Sequence, residues 1–490
     1  MLATLFIYFA LLLAVARLTG RGGNDAFFRG NRESPWPLVA FGMIGASLSG
    51  VTFVSVPGMP MAIDMTYLQM CMGFFFGYLV VAFVLLPIYY RHGVTSIYSY
   101  LGERLGRASR KVGAWFFLLS KMAGAAARLY LVCLILEQYA FAGFRHRPPF
   151  VAIVLLTLLL IWLYTRRSGI RALVWTDSLQ TLCLLLALVV IVVQAAQMLG
   201  LGPKETWQAV WESPHSRVFE FGDWASRQHF VKQFLSGIFI VIVMTGLDQD
   251  MMQKNLTCRS LRDGQKDLCA YGILFLPVNF LFLALGVLLL LLYQRTGTPL
   301  PAQGDQLLPQ FVATGLLGRS ALIFFTIGIV AAAFSSADSA LTALTTSFCI
   351  DILEMEETGA DGQKDAMNGQ EQNERRRKWV HVGVIGVFVL FILAFRAINN
   401  SSVIDTIYTL ASYTYGPLLG LFAFAIFTRR GLRGRLVPLA CVLPPVLCYG
   451  LQAAAARWWG YAFGYELLLL NGLLTYVFLL LISKKASKTA

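Results

Sequence analysis

The sequence predicts an all-α polytopic membrane protein with about 13 transmembrane helices, and three observations support this fold class. Of the 490 residues, 57% are hydrophobic and only 13% are charged, and the mean hydropathy is +0.65. The apolar residues fall into separate segments, most of them near the roughly 20 residues that a helix needs to cross a bilayer. The basic residues behind the net charge of +14 lie mostly in every second loop. This pattern is typical of membrane topology and not of nucleic-acid binding.

The cysteines and histidines point away from disulfide and metal chemistry. None of the eight cysteines forms a CxxC pair. Six of them lie in apolar segments and are expected to be small core residues: Cys71, Cys133, Cys183, Cys349, Cys441 and Cys448. The five histidines are scattered over segment ends and loops, which excludes a metal-hydrolase constellation.

The first apolar segment is a leading helix, residues 2–18. Its apolar part, Leu2 to Val15, is followed by basic residues that begin with Arg17 and Arg21, and no basic residue precedes it. A cleaved signal peptide has its basic residues first, so we expect a retained helix whose N terminus is outside.

Core helix 1, about Pro37 to Met59, is predicted to be broken. Its sequence GASLSGVTFVSVPGMP mixes glycine and proline with hydroxyl residues. A break at membrane depth frees backbone carbonyls, which are tolerated only against protein, water or a bound ion. The alternative is a kinked helix that only packs.

Core helix 2, about Tyr67 to Tyr90, leads through a basic loop to core helix 3, about Val112 to Phe141. Core helix 3 carries Arg128 deep in its apolar stretch. A guanidinium that faces a cavity suits a substrate carboxylate. The alternative is a structural ion pair with an internal carboxylate such as Glu137 or Asp177.

Core helix 4, about Phe150 to Tyr164, is followed by a basic loop and by core helix 5, about Ala172 to Met198. Asp177 lies near the start of core helix 5 and is an intramembrane carboxylate. Core helix 6, about His229 to Thr245, ends in MTGLDQDMMQKN, where glycine and acidic residues predict a second break. Its Lys254 is counted with the next basic loop.

Core helix 7, about Leu268 to Tyr293, precedes core helix 8, about Phe324 to Leu353, which has a polar middle. Residues three and four apart share a helix face, which here gives one oxygen-bearing stripe: Ala332, Ser335, Ser336, Ser339 and Thr342, with Asp338 beside it. Oxygen ligands suit a hard cation, so we expect an alkali-metal site. The alternative is close helix packing, but a buried carboxylate favours a functional site.

A polar cytoplasmic linker, residues 354–378, is expected to be mobile. Core helix 9, about Trp379 to Phe395, and core helix 10, about Val403 to Phe427, follow it. The tyrosines of core helix 10 either gate a cavity or pack: Tyr408, Tyr413 and Tyr415. Two closing helices, about Leu436 to Ala454 and Tyr461 to Ile482, complete a single transmembrane domain over residues 1–490.

The two broken helices occupy corresponding positions in two sets of five, so residues 36–427 are predicted to form an inverted-repeat core with its site at the midplane. The basic loops predict a cytoplasmic C terminus. The expected location is a plasma (inner) membrane. No loop is long enough to form an enzymatic domain.

Four motifs together resemble the sodium:solute symporter family, most closely its bacterial sialic acid symporter branch. They are SSADSALTALTTSFCIDI, YTRRSGIRALVWTDSLQ, NDAFFRGNR and GASLSGVTF. The resemblance covers nearly the whole chain. It implies a LeuT-type 5+5 inverted repeat and sodium-coupled uptake of a small organic solute by alternating access.

The resemblance implies one or two sodium sites. The common site would use backbone carbonyls and hydroxyls of Gly45, Leu48, Ala332, Ser335 and Ser336. A second sodium site would match Asp177, Ser335, Asp338 and Ser339. This sequence has Asp at 338 where the sialic acid symporters have Ser.

The implied substrate residues are Ser49, Thr52 and Tyr67, and the deep position of Arg128 in core helix 3 adds this arginine to them. The branch's glutamine in helix 2 falls on Cys71 here, and its carboxylate-binding Arg aligns near Gly124, one turn from Arg128. We therefore expect a carboxylate-bearing solute of the sialic acid or monocarboxylate type, with a sugar or an amino acid as the alternative. Two other functions compete, a transporter-like sensor and a membrane-embedded enzyme. The expected partners are solute, sodium and lipid, with no nucleic acid, and the expected functional unit is a monomer.

Overall fold

The computed structural model describes residues 2–19, 24–140, 148–297, 299–355, 365–398, 403–461 and 463–484. The described chain is helical apart from loops, an isolated bridge between Ser34 and Cys258, and one two-residue antiparallel ladder. In that ladder Gly431–Leu432 pairs with Ser483–Lys484. The fold class predicted from composition is therefore confirmed.

The first half of the chain contains the leading helix and core helices 1 to 5. Their bounds are Leu2–Thr19 for the leading helix, Trp36–Ser47 and Gly50–Ile63 for the two halves of core helix 1, Tyr67–His92, Arg107–Ile135 continued by Leu136–Ala140, Phe150–Thr165 and Gly169–Met198. Short helices lie before core helix 1 and between core helices 2 and 3, at Asn24–Arg29 and Ile97–Leu105.

The second half contains core helices 6 to 10 and the two closing helices. Their bounds are Phe230–Gly246 and Gln249–Asn255 for core helix 6, Leu261–Thr296, Gly318–Ile352, Asp365–Ile398, Val403–Phe427, Val437–Trp459 and Leu467–Leu481. The loops before core helices 6 and 8 hold short helices at Pro203–Glu212 and Leu307–Ala313.

The number of membrane spans remains a prediction. Within the described residues, eight helices are long and apolar enough to cross a membrane, or up to ten if each bent pair counts as one span. Three shorter apolar helices accompany them at Phe6–Thr19, Phe150–Thr165 and Leu467–Leu481.

Both predicted breaks are present. The halves of core helix 1 meet at 60° and those of core helix 6 at 71°. In core helix 1 the backbone leaves the helical region at Leu48, with ψ of 70°, and at Ser49, with ψ of 170°. In core helix 6 the Asp248 side chain accepts a hydrogen bond from the Asp250 amide and so starts the second half.

The predicted loop between core helices 4 and 5 is instead a kink between two helical segments. The chain turns at Gly169, which has φ of +49°. A Cβ atom at this position would lie 2.5 Å from the Phe27 Cα atom, so both the conformation and the close approach require glycine. The basic residues near 166–171 therefore mark a turn without a separate loop.

The predicted start of core helix 9 at Trp379 is too late, because the helix begins at Asp365. The Arg377 side chain is buried and its guanidinium lies 4.1 Å from the Phe27 ring centroid. This cation–π contact docks Arg377, just before the predicted start of the helix, against the short helix Asn24–Arg29. Residues 365–378 of the predicted mobile linker are thus helical, and residues 356–364 lie outside the described residues. The second closing helix also begins later than predicted, at Leu467.

Core helix 8 lies at the centre of the molecule. It packs against both halves of core helix 1 and against core helices 3, 4 and 5. Every residue from Gly328 to Ser347 is buried. The polar stripe therefore faces other protein segments.

Candidate functional site

An internal cavity of about 100 Å³ lies where core helices 1, 3, 6 and 10 meet. Ser49 and Thr52, at the start of the second half of core helix 1, contribute to its wall together with Arg128 of core helix 3. The structure therefore brings together three of the four predicted substrate residues. Other lining residues include Phe74, Lys121, Asp248, Tyr271, Tyr408 and Tyr415.

The Arg128 guanidinium forms no ion pair within 4 Å and no hydrogen bond among the described residues, although Asp250 acts on it over a longer distance. The two internal carboxylates considered as partners are engaged elsewhere. Asp177 pairs with Lys254 at 2.7 Å, and Glu137 pairs with Arg396 at 3.5 Å. Among the described residues, Arg128 thus forms no ion pair with either carboxylate considered for it.

A buried charge network forms one wall of the cavity. The Lys121 Nζ atom lies 2.7 Å from Asp250 Oδ2 and 3.2 Å from Asp248 Oδ2. The Tyr415 hydroxyl donates to the same Asp248 carboxylate. Because each of these charges already has an opposite charge beside it, the network positions the second half of core helix 6 against core helices 3 and 10.

Tyr67 does not line this cavity. Its hydroxyl lies 3.2 Å from the Tyr408 hydroxyl, and Tyr67 faces a second cavity of about 750 Å³. Tyr408 lines the inner cavity. The two tyrosines therefore form a partition between the cavities, and the expected direct solute contact of Tyr67 is corrected to this position.

The break in core helix 1 exposes backbone carbonyls beside core helix 8. The Leu48 amide donates to Ile44 and the Phe53 amide donates to Ser49, but no described helical bond joins Ser49 to Gly45 or Thr52 to Leu48. The carbonyls of Gly45 and Leu48 thus lack their usual helical donors.

Gly45 approaches core helix 5 so closely that a Cβ atom would lie 2.0 Å from Thr181 Oγ1. Only glycine fits this position.

The expected sodium ligands on core helix 8 differ in how they are engaged. Ser335, Ser336 and Ala332 are all buried. The Ser336 Oγ atom has no hydrogen-bond partner among the described residues, whereas the Ser335 hydroxyl donates to Asp177 Oδ1 at 2.8 Å. A buried hydroxyl without a hydrogen-bond partner is unfavourable unless a ligand binds to it. A sodium ion is such a ligand, because it is coordinated by oxygen atoms.

The residues of the expected second sodium site also come together. The Ser335 and Ser339 hydroxyls both donate to Asp177, the second at 3.4 Å. Asp338 accepts from the Tyr164 hydroxyl at 2.6 Å and from the Ser339 amide at 2.5 Å.

Lys254 belongs to this cluster but is not among the site residues expected from the sequence. It was counted among the basic residues of a loop, but it lies in the short second half of core helix 6, is 1% exposed and pairs with Asp177. The predicted break contained a usable signal, because a basic residue one turn into a half-helix at membrane depth needs an internal partner.

The comparisons with known proteins agree with this geometry. Residues 27–434 match the model of the sodium:solute symporter family. The sodium/sialic acid symporter SiaT of Proteus mirabilis is 27% identical, covering 89% of this chain and 86% of that protein. The sodium/sialic acid symporter NanT of Aliivibrio fischeri is 26% identical over 87% and 82% of the two chains. The human sodium/iodide cotransporter is 26% identical over 91% and 68%.

Two solved structures share the fold. A substrate-bound, outward-open sodium-coupled sialic acid symporter has a TM-score of 0.79 at 22% identity, covering 99% of this chain and 98% of that one. The nucleobase-cation-symport-1 family transporter Mhp1, in a closed conformation, has a TM-score of 0.58 at 15% identity, covering 94% and 96%. The LeuT-type arrangement is confirmed, sodium is the coupling ion, and the protein is a multi-pass membrane transporter and not an enzyme. By its match over most of its length, this chain belongs to the sodium:solute symporter family.

Proposed function

We propose that this protein imports a small carboxylate-bearing solute together with sodium by alternating access. The observation that carries the proposal is the Arg128 guanidinium, which lines the cavity without an ion pair among the described residues. A guanidinium binds a carboxylate through two parallel hydrogen bonds, and Ser49 and Thr52 add hydroxyls to the lining of the same cavity.

The solute class is narrowed by the size of the cavity and by the relatives. Two of the relatives are named for sialic acid and others for monocarboxylates. The inner cavity of about 100 Å³ is smaller than most ligand sites, which hold roughly 300–1,000 Å³. A larger solute such as a sialic acid would require the Tyr67–Tyr408 partition to open and join the two cavities.

The proposed sodium site combines the carbonyls of Gly45, Leu48 and Ala332 with the hydroxyls of Ser335 and Ser336. The freed carbonyls and the unpartnered Ser336 hydroxyl support it. Sodium held there would join the break in core helix 1 to core helix 8. The second half of core helix 1 also lines the solute cavity, so the two sites share this segment. Sodium binding is therefore expected to raise the affinity for the solute, and solute binding to raise the affinity for sodium.

Replacing Ser336 by Ala is expected to weaken sodium binding by roughly tenfold, the effect of losing one buried polar ligand of about 1.4 kcal/mol. A sodium titration of the purified protein measures this change. Thr326→Val is the matched control, because the Thr326 hydroxyl donates to the Leu322 carbonyl about 15 Å along the same helix. An unchanged sodium affinity in Ser336→Ala would argue against this site.

We also propose that the chain is one transporter domain that works as a monomer in the plasma (inner) membrane, with its N terminus outside and its C terminus in the cytoplasm. The distribution of basic residues between alternate loops supports this orientation. The second coupled sodium, at Asp177, Ser335, Asp338 and Ser339, stays a prediction with the Lys254 ammonium as its competitor.

A thermal-shift screen tests the proposed function. The detergent-purified protein is heated with sialic acids, monocarboxylates, sugars and amino acids, each in sodium and in potassium. A ligand that binds only the folded protein raises the unfolding midpoint. We expect a carboxylate-bearing solute to raise it in sodium alone. Stabilisation by a neutral sugar alone would favour the alternative substrate class, and no sodium effect with any solute would contradict the proposal.

A further inference from the structure

The Lys254 ammonium occupies the position where a second cation is expected. Its Nζ atom lies 2.7 Å from Asp177 Oδ2, and both side chains are almost completely buried. The hydroxyls of Ser335 and Ser339 donate to the same carboxylate. Three of the four residues expected to hold a second sodium, Asp177, Ser335 and Ser339, thus take part in a cluster whose cation is the protein's own lysine.

The four carboxylate oxygens of this cluster all have partners. Asp177 Oδ1 accepts from Ser335, and Asp177 Oδ2 lies against Lys254. Asp338 Oδ1 accepts from the Ser339 amide, and Asp338 Oδ2 accepts from the Tyr164 hydroxyl. The Ser336 hydroxyl, in the other sodium site, is without a partner among the described residues. The Asp177 carboxylate therefore already has a cation beside it, whereas the Ser336 hydroxyl has no partner among the described residues.

We propose that Lys254 is a built-in cation that replaces the second sodium, so that this protein binds one sodium ion per transport cycle. The proposal rests on the proposed function and excludes the second sodium site at Asp177. A sodium ion at Asp177 would lie beside a positive ammonium in a buried environment, where like charges repel strongly because water does not screen them. The lysine has the advantage of a covalent tether, so its occupancy does not depend on the sodium concentration.

The tether also connects this ion pair to the solute cavity. Lys254 lies on the short helix Gln249–Asn255, whose Asp250 pairs with Lys121 in the cavity wall. Asp248 caps the same helix and lines the cavity. One end of this half-helix is therefore held against core helix 5 by the Lys254 charge, and its other end forms part of the cavity wall. A bound sodium ion is not needed to hold the half-helix at Asp177.

Counting bound sodium tests this inference. Radioactive ²²Na⁺ is bound to the purified full-length protein at saturating concentration, without solute, and the number of ions per protein and the Hill coefficient are measured. We expect one ion for the wild type. Lys254→Met removes the charge but keeps the length of the side chain, so we expect it to bind two ions. Lys254→Arg retains the charge and is expected to bind one.

The outcomes separate this inference from the proposed function. Two ions in the wild type would overturn the inference and leave sodium coupling intact. One ion in both the wild type and Lys254→Met would also overturn it, because the lysine would then exclude nothing. No bound sodium in the wild type would contradict the proposed function itself. If Lys254→Met does not fold, Lys254→Gln, which also removes the charge but keeps a polar side chain, takes its place, and the wild-type count alone can still overturn the inference.

Discussion

Replacing Arg128 by Gln is expected to lower the affinity for the solute by roughly 10- to 100-fold. A hydrogen bond to a charged group contributes about 1.5–3 kcal/mol, and each 1.4 kcal/mol is a factor of ten. The guanidinium lines the cavity and has no ion pair within 4 Å among the described residues. Its removal therefore does not take an ion-pair partner away from any described carboxylate. The loss should therefore appear in solute binding and not in folding.

Isothermal titration with the solute identified in the thermal-shift screen, at saturating sodium, measures this change. Arg396→Gln is the control, because Arg396 does not line the cavity, is 44% exposed and pairs with Glu137 at 3.5 Å. We expect its solute affinity to equal that of the wild type. Equal affinity in Arg128→Gln and the wild type would exclude Arg128 as the carboxylate ligand, and an equal loss in both variants would indicate a general effect of charge.

Replacing Asp177 by Ala is expected to destabilise the protein by about 3–5 kcal/mol. The change leaves the Lys254 ammonium buried without its ion-pair partner, and breaking a buried pair from one side has this cost in other proteins. The thermal unfolding midpoint in detergent should fall strongly. Glu354→Gln is a useful comparison, because Glu354 pairs with Arg107 where the Arg107 side chain is 71% exposed. Its midpoint should change little, since water screens an exposed pair.

A double variant separates the loss of the pair from a general loss of packing. If the unpaired ammonium causes the damage, adding Lys254→Met to Asp177→Ala should recover most of the stability, since neither buried charge then remains. Additive losses in the double variant would mean that the pair has no special energetic role. A midpoint in Asp177→Ala equal to that of the wild type would contradict the buried pair.

Much of the architecture was predictable because its signals are local. Glycine, proline and hydroxyl residues concentrate at the break of core helix 1, and glycine and acidic residues lie at the break of core helix 6. Both breaks are present, at 60° and 71°. Two of the wrong boundaries lie beside tertiary contacts with Phe27 that local sequence signals do not report. In core helix 9, Arg377 lies before the predicted start and packs on Phe27. Between core helices 4 and 5, the chain turns at Gly169, where a Cβ atom would collide with Phe27.

By itself the sequence determined the fold class, the two broken helices and the oxygen-rich face of core helix 8, because composition and helical periodicity report which segments span and which faces are polar. Only the tertiary structure decided how the buried charges pair. It joined Lys254 to Asp177, left Arg128 without an ion pair in the described chain and moved Tyr67 from the solute cavity to a partition. The physical reason is that a buried charge is stabilised by its neighbours in space, and Asp177 and Lys254 come from different halves of the repeat.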